Sequence, residues 1–230
     1  MIVHPSVLQG SEEWHAMRRG RPTASRFKNI VTAAKGDLSK SATDYIAELI
    51  GESYVPEWVD FAGNRFTDRG TEMEPEARLY YEGWAGVKAF EVGFVTRRDE
   101  VVGCSPDGLI LLPGKSVERD AVHDEAGRIT NGADLFAYGL EIKCPSPKVH
   151  VGWVMGGALP DDHKQQVHGA MAVTGLSRWD FFSYFPGLQP FHVTVHRDAY
   201  TDKLSASLDQ FLVDYAAARA AVKPKLSRIN

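Results

Sequence analysis

Six short runs rich in β-branched and aromatic residues are set among longer segments whose apolar positions recur every three or four residues. The strand-like runs are Lys88 to Thr96, Val101 to Cys104, Gly108 to Leu112, Tyr138 to Cys144, Trp179 to Phe185 and Phe191 to His196, and one sheet is expected from them. Gln9 to Arg19 reads as a helix capped by Ser11, with Glu12 and Glu13 in its first turn and Gly20 closing it. Thr23-Ala24-Ser25 cap a second helix through Val31, and a third covers Ala42 to Ile50. A loop is expected from Gly51 to Asn64. Arg69 to Tyr81 is helical, with Pro75 tolerable only near the first turn.

Two further helices complete the pattern. Pro160-Asp161-Asp162 open one that runs to Thr174, with His163, Gln166, Ala170 and Val173 on one stripe. The last runs from Asp198 to Val222, is expected to pack on the sheet, and ends in a basic, fraying tail. Between Pro113 and Ala137 the chain is polar, mixed in charge and broken by glycines, which predicts a hairpin or loop insertion at 113–137. The fold class is therefore α/β (α+β), and 230 residues suit a single domain, 1–230.

Composition narrows the function by exclusion. A net charge of −4 argues against coating nucleic acid through bulk positive charge, so any such contact must be local. One basic stretch qualifies: Arg18, Arg19, Arg21, Arg26 and Lys28 stand together with no acid among them. Cys104 and Cys144 are expected as free core thiols. No basic-then-apolar leader and no membrane-length apolar run is seen, so a cytoplasmic protein is expected.

The candidate chemistry lies in Leu140-Glu141-Ile142-Lys143-Cys144 read with Ser105-Pro106-Asp107-Gly108. On a strand, Glu141 and Lys143 share one face while Leu140, Ile142 and Cys144 share the other, so one face serves chemistry and the other the core. If Asp107, Glu141 and one more carboxylate meet within about 4 Å, each pair repels by roughly 4 kcal/mol at an effective dielectric near 20. A bound cation removes that cost. All-oxygen ligands suit Mg²⁺ or Mn²⁺, and an adjacent ammonium suits phosphodiester hydrolysis. An isolated Glu-x-Lys is more often an exposed charge pair, and Asp-Gly an ordinary turn. The apolar flanks and the upstream Ser-Pro-Asp-Gly shift the balance.

The order and context of several motifs carry a family resemblance. Gln9-Gly10 with Trp14-His15, Arg18, Gly20 and Thr23-Ala24-Ser25, then Gly70, Glu74 and Ala77, then Cys104 to Gly108, Leu140 to Pro145 and Gln166-Val167 closely resemble the lambda-type phage exonucleases. These are the YqaJ-like viral recombinases of the PD-(D/E)XK nuclease superfamily, and the likeness runs from about Gln9 to Pro186.

The resemblance implies a restriction-endonuclease-like central mixed sheet flanked by helices. It implies a Mg²⁺-dependent 5′→3′ double-strand DNA exonuclease (Mn²⁺ substituting) that leaves a 3′ single strand for an annealing protein, in a ring-shaped homotrimer. By position, Asp107, Glu141 and the Ile142 carbonyl would hold metal, Lys143 would act on the attacking water, and Glu74 and Gln166 would support the site. Arg18, Ser25 and Ser105 would hold the 5′-phosphate.

The residues themselves leave alternatives at these positions. Arg18 can be a solvated helix residue, Ser25 a cap, and Glu74 a partner for Arg78 four residues on. His163 is a candidate DNA contact, although a helix-surface imidazole is the plainer reading. Trp14 and His15 read as residues that hold Arg18 in place. The connection from Gly108 to Leu140 is longer than the short turn of the phage enzyme. Two rivals share the motifs: an endonuclease of the same superfamily, and a non-catalytic DNA-end-binding subunit.

Overall fold

The computed structural model describes residues 1–55 and 65–226, with backbone alone for 65–71. In chain order the elements are β1 (Ile2–His4), α1 (Glu12–Arg18), a 3₁₀ helix (Ala24–Asn29), α2 (Ala42–Tyr54), α3 (Arg65–Ala85), β2 (Ala89–Phe90), β3 (Phe94–Thr96), β4 (Gly103–Cys104) and β5 (Gly108–Leu111). There follow α4 (Val117–Asp120), α5 (Gly132–Leu135), β6 (Phe136–Lys143), α6 (Pro147–Gly156), α7 (Asp161–Thr174), β7 (Arg178–Ser183), β8 (Phe191–His196) and α8 (Ala199–Val222). From residue 56 on, the expected 51–64 loop lies outside the described residues; before that, α2 continues through Tyr54.

The strands form two sheets rather than one. A mixed five-stranded sheet has the order β2-β5-β6-β7-β8, and a three-stranded sheet has the order β1-β3-β4. The run from Lys88 to Thr96 is split between them. At the break, a Cβ on Gly93 would stand 1.9 Å from the Val7 carbonyl oxygen, so only glycine lets the chain pass the N-terminal segment there. Strand β1, absent from the sequence-based expectation, pairs with β3.

β6 and β7 are parallel, as the crossover through α6 and α7 requires, while the other pairings of this sheet are antiparallel. Leu140 and Ile142 pack on the α3 side with Ala77, Tyr81, Ile110 and Phe182. Trp179 and Phe181 pack on the other side with Val167, Ala170 and Phe27. β6 is thus covered on both faces and is buried over most of its length.

Three helices differ from expectation. In α3 the helix begins at Arg65, which places Pro75 in its interior. The proline ring has no N–H to donate to the preceding turn, and the exposed position of Pro75 spares the core from that defect. α6 is a helix without sequence-based expectation, because its apolar residues do not gather on one face and its buried residue is His150; Pro147 in its first turn and Gly157 at its end (φ +65°) are the signals that mark it. α8 packs against α7 and α2 instead of the sheet, because α7 already covers that face. Its start is fixed by reciprocal hydrogen bonds between Asp198 and Thr201.

Residues 113–137 form α4, a tight antiparallel bridge between His123 and Ile129, and α5, with Ile129 also pairing Val3 of β1. Among the described residues no helix is long and apolar enough to cross a membrane.

Candidate active site

Asp107 stands at the entrance to β5, beside the last residues of β6. Its N–H donates to the Leu140 carbonyl at 3.0 Å, and its Oδ2 accepts the Ile142 N–H at 2.5 Å. Two main-chain bonds thus place this acid against the strand that carries Glu141. Lys143 lies two residues on from Glu141, on the same face, and its ammonium donates to Glu141 Oε1 and to the Ile142 carbonyl at 3.1 Å. From α7, Gln166 Nε2 donates to the same Glu141 oxygen at 2.5 Å. From α3, Glu74 accepts from Arg78 at 3.0 Å, as helical spacing allows, and Arg78 also reaches Glu91 at 2.5 Å.

The electrostatics of this group are dominated by burial. Glu141 is pushed up to about 7, first by burial and then by the charges of Asp107 and Glu74, against the pull of Lys143. Glu74 is likewise pushed up to about 7 by burial and then by Asp107, with Arg78 opposing. Burial raises Asp107 despite Lys143 and the Ile142 N–H. For Lys143 burial works against the charge, but Glu141 and Asp107 outweigh it and the ammonium is held above its ordinary range. The Lys143 ammonium and the Arg78 guanidinium, the latter shared with Glu91, therefore face three carboxylates, and the site is short of positive charge.

Among the described residues no three His, Cys, Asp or Glu side chains form a metal-binding group by themselves. The donor set that fits is two carboxylates and a carbonyl: Asp107, Glu141 and Ile142 O. The Lys143 ammonium is a stand-in cation here, since it already bridges Glu141 and the Ile142 carbonyl. Hard oxygen donors and a deficit of positive charge fit Mg²⁺ or Mn²⁺ and disfavour zinc.

A second group converges on the cavity that Glu141 and Gln166 line. Arg18, from the last turn of α1, donates to Ser25 Oγ at 3.0 Å and to Ser105 Oγ at 3.2 Å. Its guanidinium lies over the Trp14 ring at 4.2 Å from the centroid. Trp14 Nε1 donates to Ser105 Oγ at 2.9 Å and to the Gly93 carbonyl at 3.1 Å. Ser105 Oγ accepts two hydrogen bonds, so its own proton is left to donate to a third group. Ser25 lies inside the 3₁₀ helix and serves Arg18; Thr23 stands at the cap position. The 3₁₀ helix packs on α7 at Gly169, where a Cβ would meet the Phe27 ring at 2.3 Å. Arg18, Ser25, Ser105, Glu141 and Gln166 line one cavity.

His163 is half-buried, one turn before Gln166, and is not a surface imidazole. It meets Trp153 edge-on at 5.2 Å and Phe181 at 5.2 Å. Burial, then the Lys143 charge, lowers it to about 4, with Asp162 and a hydrogen bond to Gln166 opposing. Trp14 holds Arg18 as its sequence context predicts, whereas the link from Arg78 to Glu91 and the Trp153 contact join residues far apart in sequence and carry no local signal. Gln9 donates from Nε2 to the Pro106 carbonyl at 2.9 Å and braces the Asp107 turn.

The model of the YqaJ-like viral recombinase domain matches residues 13–177. LHK-Exo, an alkaline exonuclease from Laribacter hongkongensis, superposes with a TM-score of 0.72 at 29% identity, covering 94% of this chain and 97% of that one. A structure of LHK-Exo in complex with dAMP matches equally well. A phage-related exonuclease from Haemophilus somnus 129PT superposes with a TM-score of 0.60 at 14% identity, covering 92% of this chain and 99% of the other, a likeness of fold alone. No curated protein matches the chain. The five-stranded mixed sheet flanked by helices is the architecture of PD-(D/E)XK-type exonucleases, and the match over 13–177 spans most of the chain: this protein belongs to the YqaJ-like viral recombinase family.

Proposed function

We propose that this protein is a divalent-metal-dependent exonuclease that enters linear duplex DNA at a 5′-phosphorylated end, degrades that strand 5′→3′ and leaves a 3′ single strand for an annealing protein. The observation that carries this reading is the sharing of one cavity by Arg18, Ser25 and Ser105 with Glu141 and Gln166. A guanidinium and two hydroxyls match the oxygens of a terminal phosphate. Anchoring that phosphate beside the acids sets both the polarity and the cleavage register. The complex of LHK-Exo with dAMP, a deoxynucleoside monophosphate, supports it.

Asp107, Glu141 and the Ile142 carbonyl would hold Mg²⁺ or Mn²⁺, which when bound supplies polarisation of the phosphoryl oxygen and a more acidic water. Lys143 orients the attacking water and faces the charge that develops on the phosphate. Gln166 holds Glu141 in place, and Glu74 completes the acidic wall. Water adds to the phosphorus between the first and second nucleotides, and the bond to the 3′ oxygen of the first nucleotide breaks. That nucleotide leaves as a monophosphate. The strand left behind keeps a new 5′-phosphate, which the Arg18 cradle can hold for the next cut.

The same reading takes the chain as one nuclease domain, acting as a homotrimer in the cytoplasm of a bacterial host. The test uses linear duplexes that differ only in which end carries a 5′-phosphate, with Mg²⁺. Digestion starting from the phosphorylated end, with release of mononucleotides, is expected. Cutting of covalently closed circles would favour an endonuclease, and binding of ends without digestion would favour a non-catalytic subunit.

A further inference from the structure

We propose that Gln9 is a positioning residue of the nuclease centre: its side-chain amide fixes the peptide unit that carries Asp107 and so sets the affinity of the site for a divalent cation. The inference rests on the nuclease reading of that site and deepens it.

The two strand pairs that flank Asp107 keep one register. Ala89 faces Ile110 and Phe90 faces Leu109 in the larger sheet, while Val95 faces Cys104 and Thr96 faces Gly103 in the smaller one. Continued across the gap, that register would set Val92 opposite Asp107 and Gly93 opposite Pro106, yet no ladder forms there. Pro106 has no N–H to give, and the Asp107 N–H goes to the Leu140 carbonyl at 3.0 Å. The carbonyls of Val92, Gly93 and Pro106 therefore need other donors. Side chains of the N-terminal segment supply them. Gln9 Nε2 donates to the Pro106 carbonyl at 2.9 Å and to the Val92 carbonyl at 3.3 Å, and Trp14 Nε1 donates to the Gly93 carbonyl at 3.1 Å. Both protons of the Gln9 amide are used, and the two carbonyls decide which end of the carboxamide faces them.

The Pro106 carbonyl and the Asp107 N–H belong to one planar peptide unit. Gln9 holds that plane at its oxygen and Leu140 holds it at its nitrogen, from opposite sides. Without Gln9 the plane is free to turn on its Leu140 bond, and the Asp107 carboxylate turns with it, away from the Ile142 N–H. The backbone that carries Gln9 is itself pinned where Val7 passes Gly93. Gln9 is exposed, so replacing its side chain leaves the core intact.

Groups that orient metal ligands change metal affinity by about ten- to a hundredfold. Gln9→Met keeps the length of the side chain and removes both donors. In the full chain without DNA, calorimetric titration with Mg²⁺ is expected to give a Kd raised about tenfold. In the metal-free protein, hydrogen exchange at the Asp107 amide is expected to quicken by about the same factor, while the Tyr184 amide, bonded to the Lys143 carbonyl, keeps its rate. On a linear 5′-phosphorylated duplex, digestion should fall about tenfold at limiting Mg²⁺ and return to within about twofold of wild type at saturating Mg²⁺. An unchanged Mg²⁺ affinity, an Asp107 amide that exchanges as in wild type, or a loss that excess Mg²⁺ does not restore would overturn the proposal. If Gln9→Met does not fold, Gln9→Leu carries the same expectations. Asp107→Ala is measured alongside: retained hydrolysis there would remove the nuclease reading of the site, while the exchange result would still report on the link from Gln9 to Asp107.

Discussion

Asp107 Oδ2 accepts the main-chain N–H of Ile142, joining residues 35 positions apart in the chain. This bond brings an acid at a turn against the strand that carries Glu141 and Lys143, and it leaves the second oxygen of Asp107 available.

Asp107→Asn tests that arrangement. The amide oxygen can still accept from Ile142, but one of three crowded negative charges is gone. Hydrolysis should fall by at least about a thousandfold, a loss on the order of 4 kcal/mol. The metal-free protein should melt at or above the wild-type temperature. Lys143→Ala should also abolish hydrolysis, yet lower the melting temperature, because Glu141 then loses its buried counter-charge. Calorimetry and a duplex digestion assay on each variant check both arms.

Stability without metal should fall as pH rises. Glu74 and Glu141 are pushed up to about 7 in the fold, so between roughly pH 4.5 and 7.5 these two groups bind more protons in the folded chain than in the unfolded one, while His163, lowered by burial, acts with the opposite sign. A raised carboxyl pKa costs nothing below the unfolded value and its full amount above the folded one, here on the order of 3 kcal/mol for each group. Melting curves at pH 5.5 and pH 8 should show the loss. Added Mg²⁺ should restore more at pH 8 than at pH 5.5, since its ligands must be ionised. The loss should be smaller in Glu74→Gln, and an equal pH dependence in that variant and in wild type, both in chelator, would contradict the charge balance described for the site.

The phosphate cradle is open to two substitutions from opposite sides. Arg18→Ala should erase the preference for 5′-phosphorylated ends, at least about tenfold in kcat/KM, while digestion of unphosphorylated ends changes little. Gly169→Ala should force Phe27 away from α7, costing about 1–3 kcal/mol and shifting the 3₁₀ helix that carries Ser25. It should reproduce part of the Arg18 effect without touching the acids. Competition between the two kinds of end, read by product length, distinguishes these outcomes.

Asp180, on the α3 side of the sheet, gives an opposite pH signature. Burial alone would raise its carboxyl, but hydrogen bonds from His192, Arg178 and Tyr81 together outweigh it and hold the group far below the usual carboxylate range. A depressed pKa stabilises the fold above the unfolded value of about 3.9 and stops doing so as pH falls below it. Asp180→Asn should cost roughly 3 kcal/mol at pH 7. Its deficit relative to wild type should shrink as acid is added below about pH 4. An equal deficit at pH 7 and pH 3 would refute the assignment.

Local sequence determined much of this protein. Ser11 did cap α1, the stripe through His163 and Gln166 did form one helix, and the alternation in Leu140 to Lys143 did divide core from chemistry, because each depends on neighbours within one or two turns or on the two-residue pleat. The division of the strands into two sheets, the placement of α8 on α7, and the burial of His163 against Trp153 and Phe181 depend on which surfaces meet. Arg18, Ser25, Ser105 and Glu141 were each visible as residue types. Only the folded chain brought them around one cavity, since burial, hydrogen-bond partners and shared charge are properties of contacts between residues far apart in sequence.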